Sequence, residues 1–224
     1  MGKKLNDFLV ATGKGAVSLF PGGGFLAEYI GLAQSYVADK RMDEWKTMVE
    51  TLLEKVPRTI DDLAKDESFY SCIQVATMGA MRAFQYEKRA LFANALYSSA
   101  VNLDIDEDKK LIYLSLLADY TLSHISLLDY FSENRYTPED DISRSGMVTI
   151  YKNIGATERP INGIIEHLPV FANDTGLVQR MAGQLCSDGL LTSIDFTIPV
   201  SKEQARAKRT TSYGDDFLRF ISKT

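Results

Sequence analysis

Histidine and cysteine are scarce, with two of each in a chain of 224 residues. The cysteines, Cys72 and Cys186, stand far apart and form no C-x-x-C motif, which argues against a disulfide framework or a thiolate zinc site. Both fall inside apolar helical patterns, where a free thiol acts as a small core side chain, and a reducing cytoplasm is the expected setting. His124 and His167 lie outside metal-ligand spacing of each other and of either cysteine. No metal site and no cofactor are therefore expected, and both histidines are expected to be structural. Ser123 precedes His124 directly, but adjacent helical residues point about 100° apart and cannot form a nucleophile–base pair.

An excess of one charge is also missing. The formal net charge is −5, with 14 basic and 16 acidic residues in positions 1–118 and 11 and 14 in positions 119–224. Neither half has the basic character of a domain that holds nucleic acid mainly through phosphate contacts. The opening Met1-Gly2-Lys3-Lys4-Leu5 leads into no cleavable apolar run, which argues against secretion.

Phosphate- and calcium-binding signatures are incomplete as well. Asp104, Asp106 and Asp108 copy the 1-3-5 spacing of a calcium loop, but Lys109 stands at its glycine position and Ser115 at its glutamate position; helix capping is the better reading. Gly13-Lys14-Gly15 lacks the rest of a phosphate loop, and Pro21-Gly22-Gly23-Gly24 has no following lysine. These absences point away from a hydrolase or nucleotide-dependent enzyme, and no enzymatic activity is expected.

What is present reads as helix. Residues 5–20 and 25–38 suggest two short helices joined by Phe20-Pro21-Gly22-Gly23-Gly24-Phe25, where proline and three glycines make a sharp break. Gly15 to Ala38 is the most apolar stretch, with Glu28 as its only charge, yet the break makes it a poor membrane span. Met42–Val56 is amphipathic and ends at Pro57, and residues 67–100 continue as one helix or as two broken near Tyr86. Asp104–Asp108 opens a further helix. An α-helical bundle is the expected architecture for residues 1–118.

Residues 119–224 follow a different pattern. Thr121 can cap a helix running to Phe131, and a polar insertion spans about 133–159, with Thr137-Pro138-Glu139-Asp140 a helix start and Met147–Ile154 ambiguous. Helices are predicted from Pro160 and from Thr175 to Asp188, the latter stopped by Gly189. Leu191–Ile198 alternates apolar and polar residues and predicts a strand, with Ala207–Ser212 as its hairpin partner and a charged loop between them. Tyr213–Ser222 predicts a closing helix.

The run Leu185-Cys186-Ser187-Asp188-Gly189-Leu190-Leu191, a hairpin, and then Thr210-Thr211-Ser212-Tyr213-Gly214-Asp215-Asp216-Phe217-Leu218 resembles the winged-helix superfamily over about residues 120–224. The resemblance implies a mainly α fold with a small β-hairpin wing, departing from the family by the insertion at 133–159. The N-terminal half is similar to a group of bacterial helical proteins that share an apolar segment with a Pro-Gly-x-Gly turn, a likeness implying a phage-defence or mobile-element setting.

The expected function is a non-enzymatic cytoplasmic interaction or regulatory protein, with a protein partner or self-association. A DNA-binding regulator is the first alternative. It would use Gln179, Arg180 and Gln184 on the recognition helix and Lys202, Arg206, Lys208 and Arg209 on the wing. The second alternative is a membrane-active effector, with Phe20, Pro21, Gly22, Gly23, Gly24 and Phe25 as the membrane or partner contact. No small-molecule ligand is readable.

Overall fold

The computed structural model describes residues 37–101, 105–135, 157–193 and 195–222. The Phe20–Phe25 turn, the Thr137–Asp140 helix start and Met147–Ile154 lie outside them. The protein is mainly helical, with one small two-stranded antiparallel sheet among the described residues. It divides into two compact units, one running to Tyr120 and taking in the residues from Phe220, the other Thr121–Arg219.

The first unit is a helical bundle. Helix α1, Asp39–Leu53, buries Trp45, Val49 and Leu53 at four-residue intervals, the spacing that keeps side chains on one face. Thr59 and Asp62 form a reciprocal capping box that opens the short α2, Ile60–Ala64, which has no counterpart in the sequence reading. Helix α3, Glu67–Arg82, starts where the Asp66 carboxylate accepts the Phe69 N–H at 3.0 Å. That bond, and the 2.9 Å bond from Arg58, hold the Asp66 carboxyl below the usual carboxylate range against its partial burial.

Helices α4, Tyr86–Ala100, and α5, Glu107–Asp119, complete the bundle; α4 packs on α1 and α3, and α3 also on α5. The centre is filled by Trp45, Ile73, Phe92, Leu96, Tyr113 and Leu114, all buried. Gly79 is required at the α3–α4 crossing, because a Cβ there would overlap the Phe92 ring. The Trp45 indole N–H finds the Thr77 hydroxyl at 3.2 Å, which satisfies its one polar atom. At the end of α5 the Lys88 ammonium donates to the Ala118 and Tyr120 carbonyls, two groups left open by the helix terminus.

The second unit begins with α6, Leu122–Tyr130, capped by Thr121 and His124. The Thr121 N–H donates to His124 Nδ1 at 3.2 Å, so this histidine takes part in the helix cap. Strand β1, Thr157–Glu158, leads to α7, Pro160–His167, a 3₁₀ turn at Pro169–Phe171, and α8, Thr175–Ser187. Helices α7 and α8 both pack on α6. Gly189, at φ +77, ends α8 in the left-handed conformation that favours glycine. Strand β2, Val200–Ser201, runs into a one-turn helix α9, Lys202–Ala205, and α10, Ser212–Ile221, closes the described chain.

The predicted hairpin is where sequence and structure part. Leu191 and Thr210 form a single antiparallel bridge, and the described residues of Leu191–Ile198 and Ala207–Ser212 form no longer ladder. The Asp195 carboxylate accepts both the N–H and the hydroxyl of Thr197, at 2.8 and 2.6 Å. This Asx turn bends the backbone out of the extended path that its alternating pattern suggested. The sheet forms elsewhere: Thr157 lies opposite Ser201 and Glu158 opposite Val200. Instead of a charged loop, residues 202–205 are helical, with the Ser201 hydroxyl capping the Gln204 N–H.

Candidate functional site

In the first unit, α3 and α4 are separated by three residues whose side chains are sorted sharply. Ala83 and Gln85 are both extended, so the chain leaves α3 and restarts at Tyr86 within one tight corner. The corner is pinned from inside. Arg89, buried on α4, donates to the Ala83 carbonyl at 2.9 Å and pairs with Glu44 on α1. Its guanidinium carbon also lies 5.9 Å from the Tyr86 ring centroid, within cation–π range.

With Ala83 turned inward, Phe84 is 76% exposed and Tyr86 57% exposed. Met78 and Arg82, one turn apart on α3, are exposed as well. Large aromatics normally lie inside, and burying such a ring is worth about 1.5–3 kcal/mol. A turn that holds two of them in solvent on an anchored backbone matches the composition of binding hot spots, which are rich in aromatic residues and arginine. Its chemistry is that of contact: apolar area with a phenol hydroxyl and a guanidinium at its rim.

The basic residues expected to form a wing are placed differently. The Arg206 side chain, 15% exposed, donates to Glu158 from Nε at 3.1 Å and from Nη2 at 3.4 Å, and from Nη2 to Glu166 at 3.1 Å. Lys208 pairs with Asp215 at 2.7 Å, and Arg209 donates to the Gln204 carbonyl at 2.7 Å. Burial disfavours the Asp215 carboxylate, yet hydrogen bonds from Lys208 and Thr210 hold its carboxyl below the usual range. Lys202 is half-buried on α9. Arg206, Lys208 and Arg209 thus face carboxylates and carbonyls of their own unit. Gln179 and Arg180 are exposed on α8, and Gln184 is half-buried. Phe20–Phe25, the other predicted contact, lies outside the described residues.

Around Arg206 sits a polar cluster the sequence reading missed. The Tyr130 hydroxyl is buried and has no hydrogen-bond partner. It lies 2.7 Å from where a Cβ at Gly163 would stand, so a side chain there would press on the phenol oxygen. His167 Nδ1 is 3.0 Å from the Gly163 carbonyl, and its ring meets the Tyr130 ring edge-on at 5.4 Å. The Arg135 guanidinium lies 5.1 Å from the Tyr130 centroid. Burial pushes the Tyr130 phenol up to about 12. Only tertiary structure gathers these residues; no sequence spacing announces them.

Among the described residues, no group of three or more histidine, cysteine or acidic side chains could hold a metal ion. No single helix among them is long and apolar enough to cross a membrane. Comparison with protein-family models, curated proteins and solved structures finds no match.

Proposed function

We propose that this protein acts without chemistry of its own, as an interaction or regulatory protein that binds a protein partner through the aromatic corner between α3 and α4. The observation that carries this reading is the solvent display of Phe84 beside Tyr86 on a corner anchored by Arg89 and Glu44. A rigid anchor loses little entropy on binding, which is what makes such aromatics effective. The test is capture from extracts of the source cells on immobilised wild-type protein and on the Phe84→Ser/Tyr86→Ser variant. Proteins held by the wild type and released from the variant are the expected result; equal retention of every captured protein overturns the reading.

A second reading keeps the winged-helix likeness of residues 120–224, with α6, α7 and α8 as its three helices and α8 as the recognition helix. Its support is the exposure of Gln179 and Arg180, side chains suited to base edges. The ion pairs of Arg206 and Lys208 count against it, because phosphate contact would have to break them. A gel-shift titration at low salt decides: duplex binding abolished by Gln179→Ala/Arg180→Ala favours DNA recognition, and absence of a shift for the wild type removes it.

A further inference from the structure

The charged residues of positions 82–89 divide by direction. Lys88 donates to the Ala118 and Tyr120 carbonyls, and Arg89 to the Ala83 carbonyl and the Glu44 carboxylate. Both are thus engaged within the bundle. Arg82, just before the two displayed aromatics, and Glu87, just after them, are exposed and make no hydrogen bond or ion pair among the described residues. An unmatched cation and an unmatched anion therefore flank Phe84 and Tyr86. Apolar area alone accepts any apolar partner, but opposite charges at its two ends select a partner whose charges run the other way. A second copy of the same corner has that order. A two-fold interface sets residue i against j and j against i. Turning one copy about an axis near Gln85 brings Arg82 of each to Glu87 of the other, with the rings between them.

We infer that the partner received by the aromatic corner is a second copy of this chain, in a weak two-fold dimer that packs Phe84 and Tyr86 across the axis between two Arg82–Glu87 ion pairs. This rests on the corner being a binding surface and names its occupant. The exposed area fits an interface of that strength. Phe84 and Tyr86 are 76% and 57% exposed, and at about 200 Å² for each whole side chain they offer about 270 Å². With Met78, Arg82 and Glu87, all exposed, each copy offers roughly 500 Å² and the pair roughly 1,000 Å², the size of transient complexes. A dissociation constant of about 10–100 µM is the corresponding expectation.

The test is sedimentation velocity of the full chain from about 1 to about 500 µM, a range that brackets transient association. The expected result is a monomer–dimer equilibrium that Phe84→Ser abolishes. Arg82→Glu and Glu87→Arg, each alone, set like charges together at both ends of the interface. Each is expected to raise the dissociation constant at least about tenfold. An equimolar mixture of these two variants restores opposite charges at both ends and is expected to dimerise as the wild type does. A wild type that stays monomeric throughout, a dimer that survives Phe84→Ser, or a mixture that associates no more than its components overturns the inference. Capture from extracts separates this failure from that of the broader reading. A different protein released from the Phe84→Ser/Tyr86→Ser variant keeps the corner as a binding surface without the dimer, and equal retention removes both.

Discussion

Removing the Tyr130 hydroxyl is expected to stabilise the second unit, and to make room for an alanine at position 163 that in the wild type meets that oxygen. The hydroxyl is buried without a hydrogen-bond partner, an arrangement that costs about 1–3 kcal/mol relative to a satisfied or absent polar group. Tyr130→Phe leaves a gap of one oxygen and should yield a net gain of about 1 kcal/mol. Gly163→Ala places a methyl 2.7 Å from that oxygen, an overpacking worth about 1–3 kcal/mol. Alanine also favours helix by about 1 kcal/mol over glycine, and Gly163 lies inside α7. The single alanine variant is therefore expected to be neutral to mildly destabilised. In the double variant the nearest ring carbon is one bond further away, and the helix gain appears without the clash. The coupling between the sites should reach about 1–3 kcal/mol. Native-state hydrogen exchange of the α7 amides across the four proteins measures it. Additivity within about 0.5 kcal/mol would refute the geometry. The phenol adds an alkaline signature. Its folded value of about 12 lies above its ordinary value of 10, so its contribution is complete below pH 10 and lost as pH climbs to 12. Tyr130→Phe should abolish that loss.

Three further expectations follow from the core and its ion pairs. Gly79→Ala should destabilise the first unit by about 1–3 kcal/mol in urea melts, since its Cβ must displace the Phe92 ring; Phe92→Leu in the same chain should recover part of the loss. Leu185→Ala should cost about 2–5 kcal/mol, because the side chain is fully buried on α8, and an unchanged melting curve would contradict the described core. Arg206→Met leaves Glu158 facing a thioether in place of a guanidinium. Hydrogen exchange of the β1–β2 amides should speed up, while α3 amides in the first unit keep their rates.

Local signals carried most of the helices. Thr121, Pro160 and Gly189 mark ends because capping, a fixed φ and a left-handed residue act within a few positions. The break between α3 and α4 was legible to within a few residues, but its consequence was not. That Phe84 faces solvent while Ala83 faces inward depends on Arg89 reaching back to a carbonyl, a contact no periodicity encodes. The apolar alternation of 191–198 predicted a strand, and the local Asp195–Thr197 hydrogen bonds defeated it. The β1–β2 pairing joins residues more than forty positions apart, too distant for any local pattern. Of the predicted basic site, residue type was legible and partner was not: Glu158 and Glu166 come to Arg206 only in the folded unit.

The decisive measurement is the affinity of a captured partner for the wild-type protein and for Phe84→Ala, titrated by calorimetry at matched salt. A hot-spot aromatic at this corner predicts a loss of about 2 kcal/mol or more, roughly thirtyfold in Kd, with an unchanged melting temperature because Phe84 supports nothing inside the bundle. Equal affinities for the two proteins would contradict the claim that the corner between α3 and α4 is the binding surface.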